Sequence, residues 1–331
     1  MIDLNGVINV YKERGYTSFD VVAKLRGILK QKKIGHTGTL DPDAEGVLPV
    51  CLGSATRACE LLTEKDKEYE AVLLFGRITD TQDITGTVLE EHPVTISEEE
   101  AKRCLLSFQG EYDQIPPMYS ALKVNGKKLY ELAREGKVIE RQPRRVTIYE
   151  LRILETSFDG EEKWIRFAVT CSKGTYIRTL CEDVGRKAGC GGCMKSLRRT
   201  RVSSFLEQDS LTLAQIEQYR DEGRMDEILL STERLFLRFP AMQTKPEADK
   251  LLQNGNKLSK GSLRAYRDEP NEEAGRVALS DGKAAEGVTG PIDDIQPWYR
   301  IYDSTGRFTA LYQYEEAERL YRNVKMFGTQ E

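Results

Sequence analysis

Three carboxylates, Asp41, Asp43 and Glu45, fall within five residues of one another in the stretch Gly35 to Pro49, which also holds three glycines, two prolines and His36, one of only two histidines. Acids this close can act as general acid and base, as a nucleophile, or as the stabiliser of a cationic sugar. Pro42 pushes Asp41 out of the helical region and donates no backbone hydrogen bond, so the Asp41 carboxylate rides on a stiff loop. Glycines on either side admit tight turns and close approach of a ligand. The apolar run Val47, Leu48, Val50, Cys51 and Leu52 reads as a buried strand anchoring the loop, and a carboxylate on a rigid support suits catalysis. Spacing alone does not choose Asp41 over Asp43. Gly35-His36-Thr37-Gly38 also matches the GxxG loop with which KH domains clamp a nucleic-acid backbone, although Pro42 and Gly46 argue against the helix such a loop opens. No Gly-Lys-Ser/Thr follows, which argues against a phosphate-cradling P-loop.

The elements that must hold this loop are legible as patterns. Gly6 to Val10 reads as a short strand, and Ser18 as the N-cap of a helix with Val21, Val22, Leu25, Ile28 and Leu29 on one face. Ser54 predicts the cap of a helix through Leu62, followed by a strand from Lys67 to Gly76 with Tyr69 near its start and another from Gly86 to Glu90. Ser97 and Glu100 form a capping box before a helix reaching Phe108, and a further helix runs from about Lys127 until Gly136 ends it. Arg144 to Leu154 and Lys163 to Cys171 alternate as strands across a turn at Asp159-Gly160, with a further strand from Arg201 to Phe205. Glu207 to Arg234 reads as an acid-rich helix. Beyond Phe239-Pro240 the pattern changes to short segments with turn signals, among them Leu251 to Leu258, Arg276 to Leu279, and Arg300 to Tyr302 paired with Leu311-Tyr312 across Asp303 to Gly306, while Asp268 to Gly275 reads as a loop.

The 331 residues and 39% hydrophobic content allow one large domain and a small one. No basic and apolar leader stands at Met1 and no apolar run is long enough for a membrane span, so a cytoplasmic protein without a membrane association is expected. The net charge of -4 does not point to nucleic acid, and RNA binding would rest on local patches: Lys30, Lys32 and Lys33; Arg141, Arg144 and Arg145; or Lys195, Arg198, Arg199 and Arg201. Any of these alone reads as a solvated face. Seven cysteines without an export signal fit reduced thiols. Cys190-Gly191-Gly192-Cys193 has metal-like spacing, but zinc wants four ligands and neither histidine lies near in sequence, so no metal is expected.

Gly35 to Pro42, Gly46 to Pro49 and Leu52 to Arg57 together resemble the catalytic motif of the bacterial tRNA pseudouridine synthases that isomerise uridine 55 in the T-loop. Lys12 to Ser18 is similar to that family's Lys-Pro-x-Gly-x-Thr-Ser motif, with Glu13 in place of proline, and Lys67-Glu68-Tyr69, Pro116 to Gly126, Lys173 to Leu180 and Gly192 to Phe205 supply further matches. The resemblance implies an α+β fold, with a mixed, mainly antiparallel sheet flanked by helices forming a catalytic domain over residues 1–239 and a PUA-like, β-rich RNA-binding domain over 240–331. It implies Asp41 as nucleophile, Arg178 as the cation beside it, Tyr69 stacked on the target base, Tyr176 and Leu197 lining the uridine pocket, His36 supporting the extruded T-loop bases, and Lys12 among the substrate-binding residues.

That chemistry detaches uracil from ribose, turns it and rejoins it through carbon, with no oxidation and no net hydrolysis, so no cofactor is expected. Sequence leaves open whether the aspartate bonds covalently or stabilises cationic sugar character. A cation beside Asp41 is expected to keep it more acidic than usual. Flipping the base out of a folded RNA loop costs on the order of a few kcal/mol, which stacking on Tyr69, worth about 1–3 kcal/mol, can offset. The expected partner is tRNA, met by a monomer. Two other classes fit the loop: a non-catalytic RNA-binding protein using it as a clamp, and a carboxylate glycosidase pairing Asp41 with Asp43 or Glu45.

Overall fold

Alternation shapes the central sheet. In the strand Lys67–Phe75 the odd-numbered residues Lys67, Tyr69, Ala71, Leu73 and Phe75 are buried, and the strand Trp164–Cys171 pairs along its whole length. The computed structural model describes residues 4–63, 65–124, 126–266 and 298–328. Its larger sheet has nine strands, in the order Gly6–Lys12, Glu45–Leu52, Gly192–Val202, Lys67–Phe75, Trp164–Cys171, Arg144–Ser157 and Gly110–Gln114, with Ile34–His36 added to Glu45–Leu52 and Phe205–Leu206 to Gly192–Val202. All pairings in it are antiparallel but one. Gly192–Val202 meets Glu45–Leu52 in parallel, through Arg198 beside Glu45 and Arg199 beside Gly46.

Helices close the cores. Val21, Val22 and Leu25 of the helix Ser18–Leu29 pack with Ile8, Val10, Val50 and Leu52 of the sheet and with Ile216 of the helix Leu213–Asp221. A second core joins Tyr69, Leu73, Phe167 and Val169 to Leu180 and Val184 of the helix Ile177–Lys187 and Leu105 of the helix Glu98–Leu106. Each fully buried Leu, Val or Phe contributes about 1.5–3 kcal/mol.

The parallel junction is tight enough to dictate a residue. Gly46 has φ +106°, and a Cβ there would lie 2.2 Å from the Arg199 carbonyl oxygen and 2.9 Å from its nitrogen. Gly46→Ala therefore forces apart two strands of the sheet and adds backbone strain. We expect it to lower unfolding stability by about 3 kcal/mol or more, read as a fall in the urea midpoint. A midpoint equal to the parent's would show that the junction has slack.

A C-terminal β-rich domain follows. Its six strands run in the order Leu258–Ser259, Leu320–Met326, Phe308–Glu315, Trp298–Tyr302, Ala241–Thr244 and Leu263–Ala265, around Leu252, Leu258, Ile301, Ala310 and Tyr312. Phe236, Ala58, Leu311 and Phe327 form an apolar seam between the two sheets' territories. Beside it Tyr302 donates to Glu233, and Arg300 donates to the Phe239 carbonyl at 2.9 Å and the Tyr302 hydroxyl at 2.7 Å.

Several boundaries differ from the sequence reading. Thr17, not Ser18, caps the first helix, because Thr17 and Asp20 exchange the two bonds of a capping box. Ser18 is buried and accepts from the Leu40 backbone N–H at 2.9 Å instead. The Gly53–Ala58 segment is a 3₁₀ helix before the short α-helix Cys59–Thr63, and Ser54 does not cap it; its backbone N–H is held by Asn5. Lys127 belongs to a two-residue strand, and the helix begins at Leu129. Arg201 continues the strand from Gly192, which ends at Val202 before a turn at Ser203. The expected helix from Glu207 to Arg234 is broken: only Leu213–Asp221 is α-helical, ended by Gly223 at φ +71°, and Leu230 then pairs with Val7 at the sheet edge. Arg276 to Leu279 and Asp268 to Gly275 lie outside the described residues.

Candidate active site

Asp41 is held from both sides by the turn around it. The ammonium of Lys12 is fully buried and donates to the carbonyls of Glu13 (3.2 Å), Pro42 (3.1 Å) and Ala44. Gly15 N–H donates to the same Pro42 carbonyl at 2.9 Å, and Ala44 N–H closes back on the Asp41 carbonyl at 3.1 Å. Burial pushes the Lys12 pKa down to about 8, with Asp41 nearby pulling it up. Lys12 was expected among the substrate-binding residues; here its ammonium bonds two carbonyls of the Asp41 loop, those of Pro42 and Ala44, and the neighbouring Glu13 carbonyl.

Arg178 enters from the first turn of the helix Ile177–Lys187. Tyr176, the residue before that helix, is fixed by Gln114, which accepts from the Tyr176 N–H at 2.7 Å and donates to its carbonyl at 3.0 Å. The Arg178 guanidinium forks onto Asp41, with Nε 3.0 Å from Oδ2 and Nη2 3.2 Å from Oδ1. Its remaining donors meet the carbonyls of Thr81 (3.0 Å) and Tyr119 (2.9 Å), and Asp83 lies 3.8 Å away. Arg178 is buried, whereas the Asp41 side chain keeps 36% of its surface. Asp43 points elsewhere, more exposed and 3.4 Å from the exposed Arg14.

The electrostatics differ from expectation at one point. Loss of water around Asp41 raises its pKa above the ordinary value, outweighing the pull of Arg178, and Asp83 adds to the rise. The opening that leaves Asp41 partly exposed limits how large the rise is. Burial lifts the Tyr69 phenol to about 12, so it stays protonated near neutrality, and lowers His36, whose Nδ1 accepts from Gly38 N–H at 3.3 Å.

Tyr69, Leu40, Ile177 and Leu197 share one buried cluster, and half-buried Tyr176 lies within electrostatic reach of both Arg178 and Asp41. Thus Asp41, Arg178, Tyr69, Tyr176 and Leu197 converge from four separate elements, with His36 on the same loop as Asp41. Sequence reading missed Gln114, Asp83 and the true place of Arg199. Arg199 is 1% exposed, not on a solvated face, and its side chain reaches Tyr69 and the Asp41 loop. Two candidate basic patches are largely consumed internally. Arg198 pairs with Glu70 and Glu207, Arg201 with Asp66 and Glu68, Lys195 with Glu162, and Arg145 with Asp113 and Glu111, while Arg141 donates to the Pro116 carbonyl. Lys30, Lys32 and Lys33 remain exposed.

Among the described residues no group of three or more His, Cys, Asp or Glu side chains is arranged to hold a metal ion, and the seven cysteines are free thiols. No helix among them is long and apolar enough to cross a membrane.

The mixed, mainly antiparallel sheet with its β-rich C-terminal companion is a fold this chain shares with solved structures, and the chain's sequence matches family models of pseudouridylate synthases. The structure aligns with the crystal structure of a Cbf5-Nop10-Gar1 complex at TM-score 0.68 and 25% identity, covering 98% of this chain and 85% of that one. An H/ACA RNP bound to a substrate RNA containing 2'-deoxyuridine shares the fold, at TM-score 0.66 and 24% identity, over 98% of this chain and 85% of that one. In sequence, residues 26–177 match the TruB family pseudouridylate synthase (N terminal domain), and residues 178–237 the tRNA pseudouridylate synthase B C-terminal domain. The tRNA pseudouridine synthase B of Lachnoclostridium phytofermentans is 52% identical, covering 98% of this chain and 100% of that protein; that of Staphylococcus aureus (strain MSSA476) is 46% identical, covering 78% and 87%. The chain belongs to the TruB family of pseudouridylate synthases.

Proposed function

We propose that this chain converts uridine 55 in the T-loop of tRNA to pseudouridine, with Asp41 as the nucleophile. The observation that carries the reading is the forked Arg178–Asp41 pair beside Tyr69 and Leu197 in a chain of this family. The uridine is flipped from the loop, stacks on Tyr69 and is walled by Tyr176 and Leu197, while His36 fills the space it leaves in the RNA. Asp41 acts at the sugar as the bond to uracil breaks, and the same site holds the base while it turns and rejoins through carbon. Arg178 keeps the carboxylate aimed and ionised, and Lys12 stiffens the loop beneath it. No cofactor takes part. Residues 1–239 form the catalytic domain and residues 240–331 a PUA-like RNA-binding domain of a monomer working in the cytoplasm.

One unmodified tRNA transcript tests this. Pseudouridine at position 55, absent from a transcript carrying cytidine there, is the expected result, with binding that weakens as salt rises because cations such as Lys30, Lys32 and Lys33 displace counterions from phosphates. Binding without conversion would leave an RNA-binding protein. Cleavage of free glycosides with indifference to RNA would leave a glycosidase.

A further inference from the structure

Among the described residues Arg199 is the largest side chain that is almost wholly buried. Burying a guanidinium is expensive unless its hydrogen bonds are met, and a carboxylate partner is the usual remedy. Here Tyr69 is the ionisable neighbour that favours its charge, while Lys12, Lys67 and His36 lie within electrostatic reach and oppose it, and no carboxylate contributes. The rest of the fork goes to the loop: Nε donates to the Val47 carbonyl at 2.7 Å and Nη2 to the Gly38 carbonyl at 3.4 Å. Those two carbonyls bracket Asp41 in sequence.

The backbone has the same double attachment. Arg199 is the register partner of Tyr69 on one side, in an antiparallel pair, and of Gly46 on the other, in the parallel pair. The ladder to Lys67–Phe75 shifts register between Arg199 and Arg201, a bulge-like irregularity of the sort that re-aims a side chain. One residue thus stands opposite the tyrosine at one wall of the site and bonds the loop that carries the carboxylate at the other.

We propose that Arg199 is a positioning residue that ties the Tyr69 hydroxyl to the Gly38–Val47 loop, fixing the distance between the stacked base and Asp41. It touches neither substrate nor reacting atoms. The proposal rests on the functional reading above. A lysine at 199 keeps a charge but cannot bond Tyr69, Gly38 and Val47 together, since it lacks the planar fork.

The test is a double-mutant cycle of Arg199→Lys and Tyr69→Phe, read in single-turnover rate at saturating enzyme, tRNA affinity and the NMR line of tyrosine ¹³Cζ, with the Tyr69 signal assigned by its loss in Tyr69→Phe. Arg199→Lys is expected to slow the step about 30-fold with tRNA affinity within about threefold, and Tyr69→Phe, which keeps the stacking face, about tenfold. The double variant should match Arg199→Lys alone, because each single change already cuts the same tether. The Tyr69 line should move in Arg199→Lys. Multiplying rate effects, or an unmoved Tyr69 line, would overturn the proposal. If Arg199→Lys does not fold, Tyr69→Phe decides: a rate equal to the parent's overturns the tether, and a tenfold loss supports it. A parent that forms no pseudouridine would remove the functional reading, while the Tyr69 line still decides whether the tether exists.

Discussion

Asp41→Asn lowers the single-turnover rate of pseudouridine formation by at least about 10⁴-fold while tRNA affinity stays within about tenfold. The amide keeps the shape of the carboxylate but is no nucleophile. Arg178 does not lose its lodging, because the carbonyls of Thr81 and Tyr119 and the carboxylate of Asp83 still surround it. The fold should not suffer. Since the folded state raises the Asp41 pKa, it binds that proton more tightly than the unfolded chain does. The resulting contribution to stability is present at low pH and is lost as pH rises through the raised value, so at neutral pH the ionised carboxylate is a burden that asparagine removes. A melting temperature no lower than the parent's is therefore expected. In the parent, the rate should fall as pH drops through the raised pKa, above 3.8, the ordinary aspartate value. Asp43→Asn serves as the control: exposed and paired only loosely with Arg14, it should stay within about threefold of the parent rate. Substantial turnover by the Asp41 variant, or reversal of the two results, would take the nucleophile's role away from Asp41.

Arg178→Lys lowers the same rate on the order of 100-fold with little change in RNA affinity. The guanidinium does several things at once: it bonds both Asp41 oxygens, ties down the Thr81 and Tyr119 carbonyls and faces Asp83. An ammonium is a compact, strongly hydrated point charge with three donors on one atom, and it cannot span that set. Positive potential survives the change; aim does not. If potential alone mattered, the lysine variant would run within a few-fold of the parent, and single-turnover rates beside a binding titration decide between the two.

The sequence carried the sheet better than the site. Strand periodicity located Lys67–Phe75 and Trp164–Cys171 because a half-buried strand writes its environment into every second residue. The run Glu207 to Arg234 misled because local propensity cannot register that Leu230 is needed at the sheet edge beside Val7. Nothing in local spacing marks Arg178, whose partners lie far away in the chain. Arg199 looked like its neighbours Arg198 and Arg201, which do sit in ion pairs nearer the surface. The available signal was its position two residues after Leu197, on the same face of one strand.

The central position of Gly192–Val202 also orders events in time. The bond between Arg178 and Asp41 spans 137 residues, and that between Arg199 and Val47 spans 152. At a synthesis rate of about 5–20 residues per second, the loop leaves the ribosome roughly 8 to 30 s before the strand that completes its support. Until that strand inserts, Lys67–Phe75 presents an unpaired edge and Glu45–Gly46 an unpaired strand end, and closing so long a loop is the slow, entropically opposed part of folding. The nascent chain therefore passes through an interval in which it can aggregate but cannot modify RNA, and competence arrives with a single late strand.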